Sequence, residues 1–116
     1  MADRRRPNAI EPETAELRRL RRRIDALDRR IVALLNERAS LGRDVGRAKS
    51  EAGWRVMRDA ERERDVLLRA AMTNAGPMPQ GDLLAIYRRL IAATRALESL
   101  DRRRERAERT ERDAPR

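Results

Sequence analysis

From Leu20 to Ala48 the chain repeats apolar residues at alternating steps of four and three. Leu20, Ile24, Leu27, Ile31, Leu34, Leu41, Val45 and Ala48 keep the rhythm, and Arg38 stands where it calls for another apolar side chain. That spacing is a heptad seam, the signature of a long helix that lays one stripe against another helix. It commits the chain to an all-α fold and leaves a guanidinium in the middle of an otherwise apolar stripe. Lys49, the single lysine of the sequence, follows eleven residues later. Eleven residues are close to three turns, so Arg38 and Lys49 share a helix face with Cα atoms about 16 Å apart. Two cations on a face that is otherwise buried suggest an anion pocket. The pattern by itself also allows an arginine that snorkels to the edge of the seam.

Composition narrows the alternatives. At 116 residues the chain has room for one domain with tails. Aromatic residues make up 2%, so the core must be aliphatic, and 42% charged residues suit long helices better than sheets. Without cysteine or histidine, thiolate and ordinary zinc sites, disulfides and a histidine general base are excluded. No apolar run approaches the roughly 20 residues needed to span a bilayer, and the basic N-terminus lacks a signal-type apolar stretch. A cytoplasmic protein with neither membrane nor metal partners is expected. The net charge of +9 is almost entirely arginine. It invites a nucleic-acid reading, but acids interrupt the arginines nearly everywhere, as in Arg58, Asp59, Glu61, Arg62, Glu63, Arg64, Asp65. A basic helical dimer on nucleic acid would also leave Arg38 unexplained. Because arginine replaces lysine throughout, Lys49 marks a place that calls for an ammonium.

Three helices are predicted. Residues 1–12, with Pro7 and Pro12, read as a disordered lead-in. Helix 1 starts near Glu13 or Thr14 and runs to about Glu51, where Gly53 stops it; at nearly 40 residues it is about 57 Å long. Gly42 and Gly46 lie beside its seam, as places of close approach or as tolerated glycines. Helix 2 spans about Asp59 to Asn74, and Gly76, Pro77 and Pro79 break the chain. Helix 3 begins near Gln80 or Asp82 and is apolar to about residue 100. Residues 101–116 form a charged tail, either a frayed helical extension or disordered, so residues 13–100 are the folded domain. Helices of roughly 40, 16 and 20 residues do not balance as a bundle. The long seam therefore calls for a second copy of the chain, in an intertwined homodimer.

Two further constellations carry possible chemistry. Asp59, Arg62 and Glu63 share a face at the start of helix 2, as a site or as a surface ion-pair ladder. Thr94 and Glu98 sit one turn apart on helix 3, where a threonine commonly bonds back to its own helix.

Taken in order, the segments RRRIDALDRRIVALLNER (21–38), VGRAK (45–49), RDAERER (58–64) and YRRLIAATRALE (87–98) resemble the all-helical chorismate mutases, the AroQ class, over about residues 17–100. The resemblance implies rearrangement of chorismate to prephenate, in phenylalanine and tyrosine biosynthesis, without cofactor or metal. It implies that Arg21 enters the partner subunit's site and that Arg38 grips a substrate carboxylate. Lys49 would meet the ether oxygen and a carboxylate. Glu63 would hold the ring hydroxyl, with Asp59 and Arg62 lining the same pocket. Thr94 falls where the family commonly has serine. Glu98 falls where many members have a glutamine that donates to the ether oxygen, which is the main departure. A neutral carboxyl there can donate a hydrogen bond, whereas an ionised one repels the developing charge. Isochorismate pyruvate-lyase is the related alternative, and the Asp59, Arg62, Glu63 group favours the mutase. Docking to a shikimate-pathway enzyme is a further possibility that the class implies. The inventory suits an intramolecular [3,3] rearrangement, because it needs no nucleophile, metal or obligatory proton transfer. Holding a dianion in its reactive conformer and stabilising charge on one oxygen is enough.

Overall fold

The structure is a computed structural model that describes residues 11–115. The lead-in expected over residues 1–12 lies almost wholly outside the described residues. Three helices account for the fold: α1 (Ala15–Glu51), α2 (Ala60–Thr73) and α3 (Gln80–Arg112), with no strand among the described residues. None of these helices is long and apolar enough to cross a membrane. The chain divides into two units between Leu34 and Leu35, inside α1.

The first unit contains the start of α1. Thr14 caps the helix, its hydroxyl accepting the Leu17 N–H at 3.1 Å, and Glu16 lies in the first turn. Arg21 pairs with Glu13 at 3.2 Å. The seam residues Leu20, Ile24, Leu27, Ile31 and Leu34 are all exposed, at 41–59% of their full surface.

The second unit holds the rest of α1 with α2 and α3. Helix α1 stops in a Schellman motif: Gly53 adopts φ +87°, its N–H reaches the Ser50 carbonyl at 3.1 Å, and the Trp54 N–H reaches the Lys49 carbonyl at 2.9 Å. Asp59 caps α2, accepting the Arg62 N–H at 3.1 Å. Between α2 and α3, the Asn74 side chain donates to the Met78 carbonyl and the Gln80 side chain, and Gln80 donates to the Ala71 carbonyl. The two helices return on each other as an antiparallel hairpin, with Gln80 near Ala71 and Arg95 near Glu63. Helices α1 and α3 run parallel: Arg38 meets Thr94, Gly46 meets Glu98 and Ser50 meets Arg102.

The two glycines of α1 mark this contact. A Cβ on Gly42 would lie 2.1 Å from the Thr94 methyl carbon, and one on Gly46 would lie 2.9 Å from Glu98 Cγ. Both are places of close approach. The core they help to form is small; its buried apolar residues are Met57 and Ala70.

Helix α3 has 33 residues instead of about 20 and takes in the charged segment up to Arg112. Apolar burial does not carry this extension. Glu105 and Arg109, and Glu108 and Arg112, stand at i, i+4 with the acid first, the favourable order for a solvated helix. The bidentate pair of Arg43 with Asp101, at 2.9 and 3.1 Å, ties its beginning to α1. With α3 this long, helix lengths no longer argue for a second chain.

Candidate active site

A cleft of about 280 Å³ opens among the three helices of the second unit. Seven of the residues expected from the sequence line it: Arg38, Lys49, Asp59, Arg62, Glu63, Thr94 and Glu98. The eighth, Arg21, belongs to the other unit and is paired with Glu13. Apolar walls come from Leu41, Val45, Met57, Val66 and Ile91.

Each polar side chain is held by local structure. The glycine contacts bring the Arg38–Lys49 face of α1 onto the Thr94–Glu98 face of α3. Arg38 donates to the Thr94 hydroxyl at 3.3 Å, and its guanidinium lies 6.0 Å from the Tyr87 ring centre. Thr94 in turn donates to the Leu90 carbonyl at 3.0 Å. Its hydroxyl thus bonds back to its own helix and also reaches across to Arg38. Among the described residues Arg38 has no carboxylate partner. It is a half-buried guanidinium with part of its donor fork free for an anion.

Lys49 is more fully engaged. Its ammonium donates to the Met57 carbonyl and to Glu98 Oε2, the latter at 3.1 Å, and lies 5.4 Å from the Trp54 ring centre. Glu98 is buried, with 7% of its surface exposed. A carboxylate this deep requires a partner, and Lys49 supplies it. The pair leaves the second carboxyl oxygen of Glu98 without a hydrogen bond among the described residues.

Asp59 serves as the N-cap of α2 while lining the cleft. Arg62 reaches Asp65 at 3.2 Å, so part of this group does act as a surface ion-pair ladder. Glu63 is held from the other side: Arg95 Nη1 lies 2.9 and 2.8 Å from its two oxygens, and Arg58 Nε is 3.5 Å away. Two residues were missed in the sequence. Arg95 shows itself only through its contact with Glu63, thirty-two positions away, although its place between Thr94 and Glu98 was a signal. Met57 contributes a loop carbonyl, a group no side-chain pattern reveals.

The cleft lining therefore carries four cations, Arg38, Lys49, Arg62 and Arg95, against three carboxylates. Two of those carboxylates are already paired. The fold and the cleft define the class: an all-α protein with a cation-rich pocket between its helices. Comparison with known proteins narrows the class. The family model for chorismate mutase type II matches residues 20–99. Bifunctional chorismate mutase/prephenate dehydratases are similar: that of Aquifex aeolicus is 40% identical over 87 residues, covering 72% of this chain and 24% of the relative. That of Stutzerimonas stutzeri is 36% identical over 91 residues, covering 74% of this chain and 25% of the relative. The chain thus spans about a quarter of the length of these curated relatives. The solved chorismate mutase (form II) of Thermus thermophilus superposes with a TM-score of 0.69 at 30% identity, covering 72% of this chain and 94% of that one. The chain belongs to the chorismate mutase type II family.

Proposed function

We propose that this protein rearranges chorismate to prephenate, as a homodimer with two equivalent sites. The observation that carries the reading is Arg38, a guanidinium placed in an apolar seam, lining the cleft and lacking a carboxylate partner among the described residues. In this reading Arg38 binds a substrate carboxylate through its planar fork. Lys49, fixed by the Met57 carbonyl and Glu98, presents a compact ammonium to the ether oxygen as the C–O bond breaks, where stabilisation of growing charge counts most. Glu63, steadied by Arg95, accepts from the ring hydroxyl. Arg62, Asp59 and Thr94 complete the walls. Glu98 orients Lys49 through Oε2, and its other oxygen, when the carboxyl carries a proton, donates to the ether oxygen.

Arg21 enters from the second chain. The exposed seam over residues 20–34 supports that assembly, because a row of five large apolar side chains left in water calls for a partner helix. The deciding experiment is loss of chorismate with purified protein, with prephenate identified as the product and isochorismate as the contrasting substrate. Release of pyruvate from isochorismate without prephenate formation would refute the reading. Mixing Arg21→Ala with Arg38→Ala protein is expected to restore activity, since one site per heterodimer then has both arginines. Demonstrated subunit exchange without recovery overturns the shared site.

A further inference from the structure

A second groove, of about 560 Å³, lies between the loop after α1 and the outer face of α3. Six arginines line it: Arg55 and Arg58 from the loop, and Arg95, Arg102, Arg103 and Arg106 from α3. No acidic residue lines it, in a chain whose acids are otherwise interspersed with its arginines. The sorting follows helix geometry. Ala92, Arg95, Ala96, Ser99, Arg102, Arg103 and Arg106 recur at steps of one, three and four and form a single stripe. Val56 and Met57 of the loop complete the lining. On the same helix Asp101, Glu105 and Glu108 fall on another face, where they share a groove with Arg43 and Arg47. The face of α3 along the six-arginine groove thus lacks acids, whereas the face with Asp101, Glu105 and Glu108 also carries Arg104 and is mixed in sign.

Most of the groove's charge is uncompensated. Arg58 and Arg95 are engaged by Glu63, and Arg102 donates only to the neutral Ser50 hydroxyl at 3.2 Å. Arg55, Arg103 and Arg106 have no hydrogen-bond or ion-pair partner among the described residues. Clustered like charges raise the local potential and concentrate a counter-ion of matching multiplicity. Planar guanidinium groups match phosphate oxygens in pairs. Arg102, Arg103 and Arg106 lie beyond the segment matched by the family model, which ends at residue 99. Met57 and Arg95 border both this groove and the cleft, and Arg58 pairs with Glu63 of the cleft, whereas Arg55, Arg102, Arg103 and Arg106 take no part in the catalytic reading.

We propose that this groove is a binding site for a small molecule carrying an oligophosphate group. A single carboxylate would leave most of the guanidinium charge unmatched, whereas a chain of two or three phosphates spans several of them. The site's own charge selects the ligand.

The test is titration calorimetry of the full chain with sodium tripolyphosphate, pyrophosphate, ATP and adenosine at fixed ionic strength. One tripolyphosphate per chain is expected, with pyrophosphate weaker and adenosine silent. ATP that matches tripolyphosphate identifies free phosphate chemistry as sufficient; ATP that binds more tightly identifies a nucleotide. Arg103→Ala/Arg106→Ala is expected to weaken binding by about tenfold or more, the scale of losing charge-assisted hydrogen bonds. Arg55→Ala, on the loop side, should weaken it as well. The control Arg47→Ala/Arg104→Ala removes the same net charge from the other groove and should leave affinity within about threefold. Circular dichroism and Tm check that each variant is folded. Equal weakening in both double variants, binding without saturation, or tighter capture of a short DNA duplex than of tripolyphosphate overturns the proposal.

Discussion

The two units of this chain expose apolar seam residues to a similar degree but to different ends. In the first, Ile24, Ile31 and Leu34 are exposed at 50–59%, and none of them borders the clefts described above. In the second, Leu41 and Val45, on the same heptad register, are exposed at 59% and 49%, yet they form the wall of a charged cleft. Exposure alone does not distinguish a surface awaiting a partner helix from one awaiting a ligand. What distinguishes them here is the polar company: Arg38 in the seam and Lys49 beside it belong to the second unit.

The largest expected effect probes the first unit. In the dimer proposed above, the Ile24→Glu/Ile31→Glu variant loses four isoleucines, each worth roughly 1.5–3 kcal/mol on burial. The dimer dissociation constant should rise at least about a thousandfold, read by analytical ultracentrifugation, and activity should fall with it. A variant that remains dimeric would remove the distinction drawn between the two seams.

Next comes Arg38→Leu, which completes the apolar register in the second unit. We expect kcat/KM to fall by about 10²–10³-fold, the scale of losing one preorganised donor to developing or bound charge. Tm should be unchanged or higher. Near-normal turnover would make Arg38 a packing feature and align the second unit with the first.

Gly46→Ala should have an intermediate effect. The added methyl meets Glu98 Cγ at 2.9 Å, and overpacking of this kind costs about 1–3 kcal/mol against a helix-propensity gain of about 1 kcal/mol. Because Glu98 fixes Lys49, kcat should drop more than Tm suggests. An unchanged kcat with lowered Tm would mean that the contact is structural alone.

The smallest effect is at the charged end of α3. The Arg43 hydrogen bond holds the Asp101 carboxyl below its usual range, outweighing the opposing effect of burial. A carboxyl depressed by folding stabilises at neutral pH, and that contribution is lost as pH falls from the ordinary carboxylate range through the lower folded value. The exposed setting keeps it modest. Asp101→Asn should slightly lower Tm at pH 7 and leave it unchanged in strong acid; equal differences at both would remove the ion pair as the cause.

Most of the fold was legible because it is written in short-range patterns. The α1 seam, the Gly53 stop, the Asp59 start and the Gly76–Pro79 break each depend on residues within a few positions of one another. The end of α3 was not, since past residue 100 no apolar periodicity remains and the helix rests on charge spacing. In the cleft, residues that depart from their surroundings were readable: Arg38 in a seam, Lys49 among arginines, Gly42 and Gly46 inside a helix. Arg95 and the Met57 carbonyl were not, because their roles arise from contacts across the hairpin and the loop.

The Schellman stop at Gly53 has a consequence for how this chain tolerates change. Lys49 gives its carbonyl to the Trp54 N–H, its ammonium to the Met57 carbonyl, and its charge to the face of Trp54. The connection from α1 to α2 is thus anchored twice to the side chain it positions. Surface loops ordinarily accept insertions and deletions with little penalty. This one is a ruler: adding or removing a single residue between Gly53 and Met57 changes which carbonyl meets the ammonium. Within a lineage its length should be far more constant than its composition.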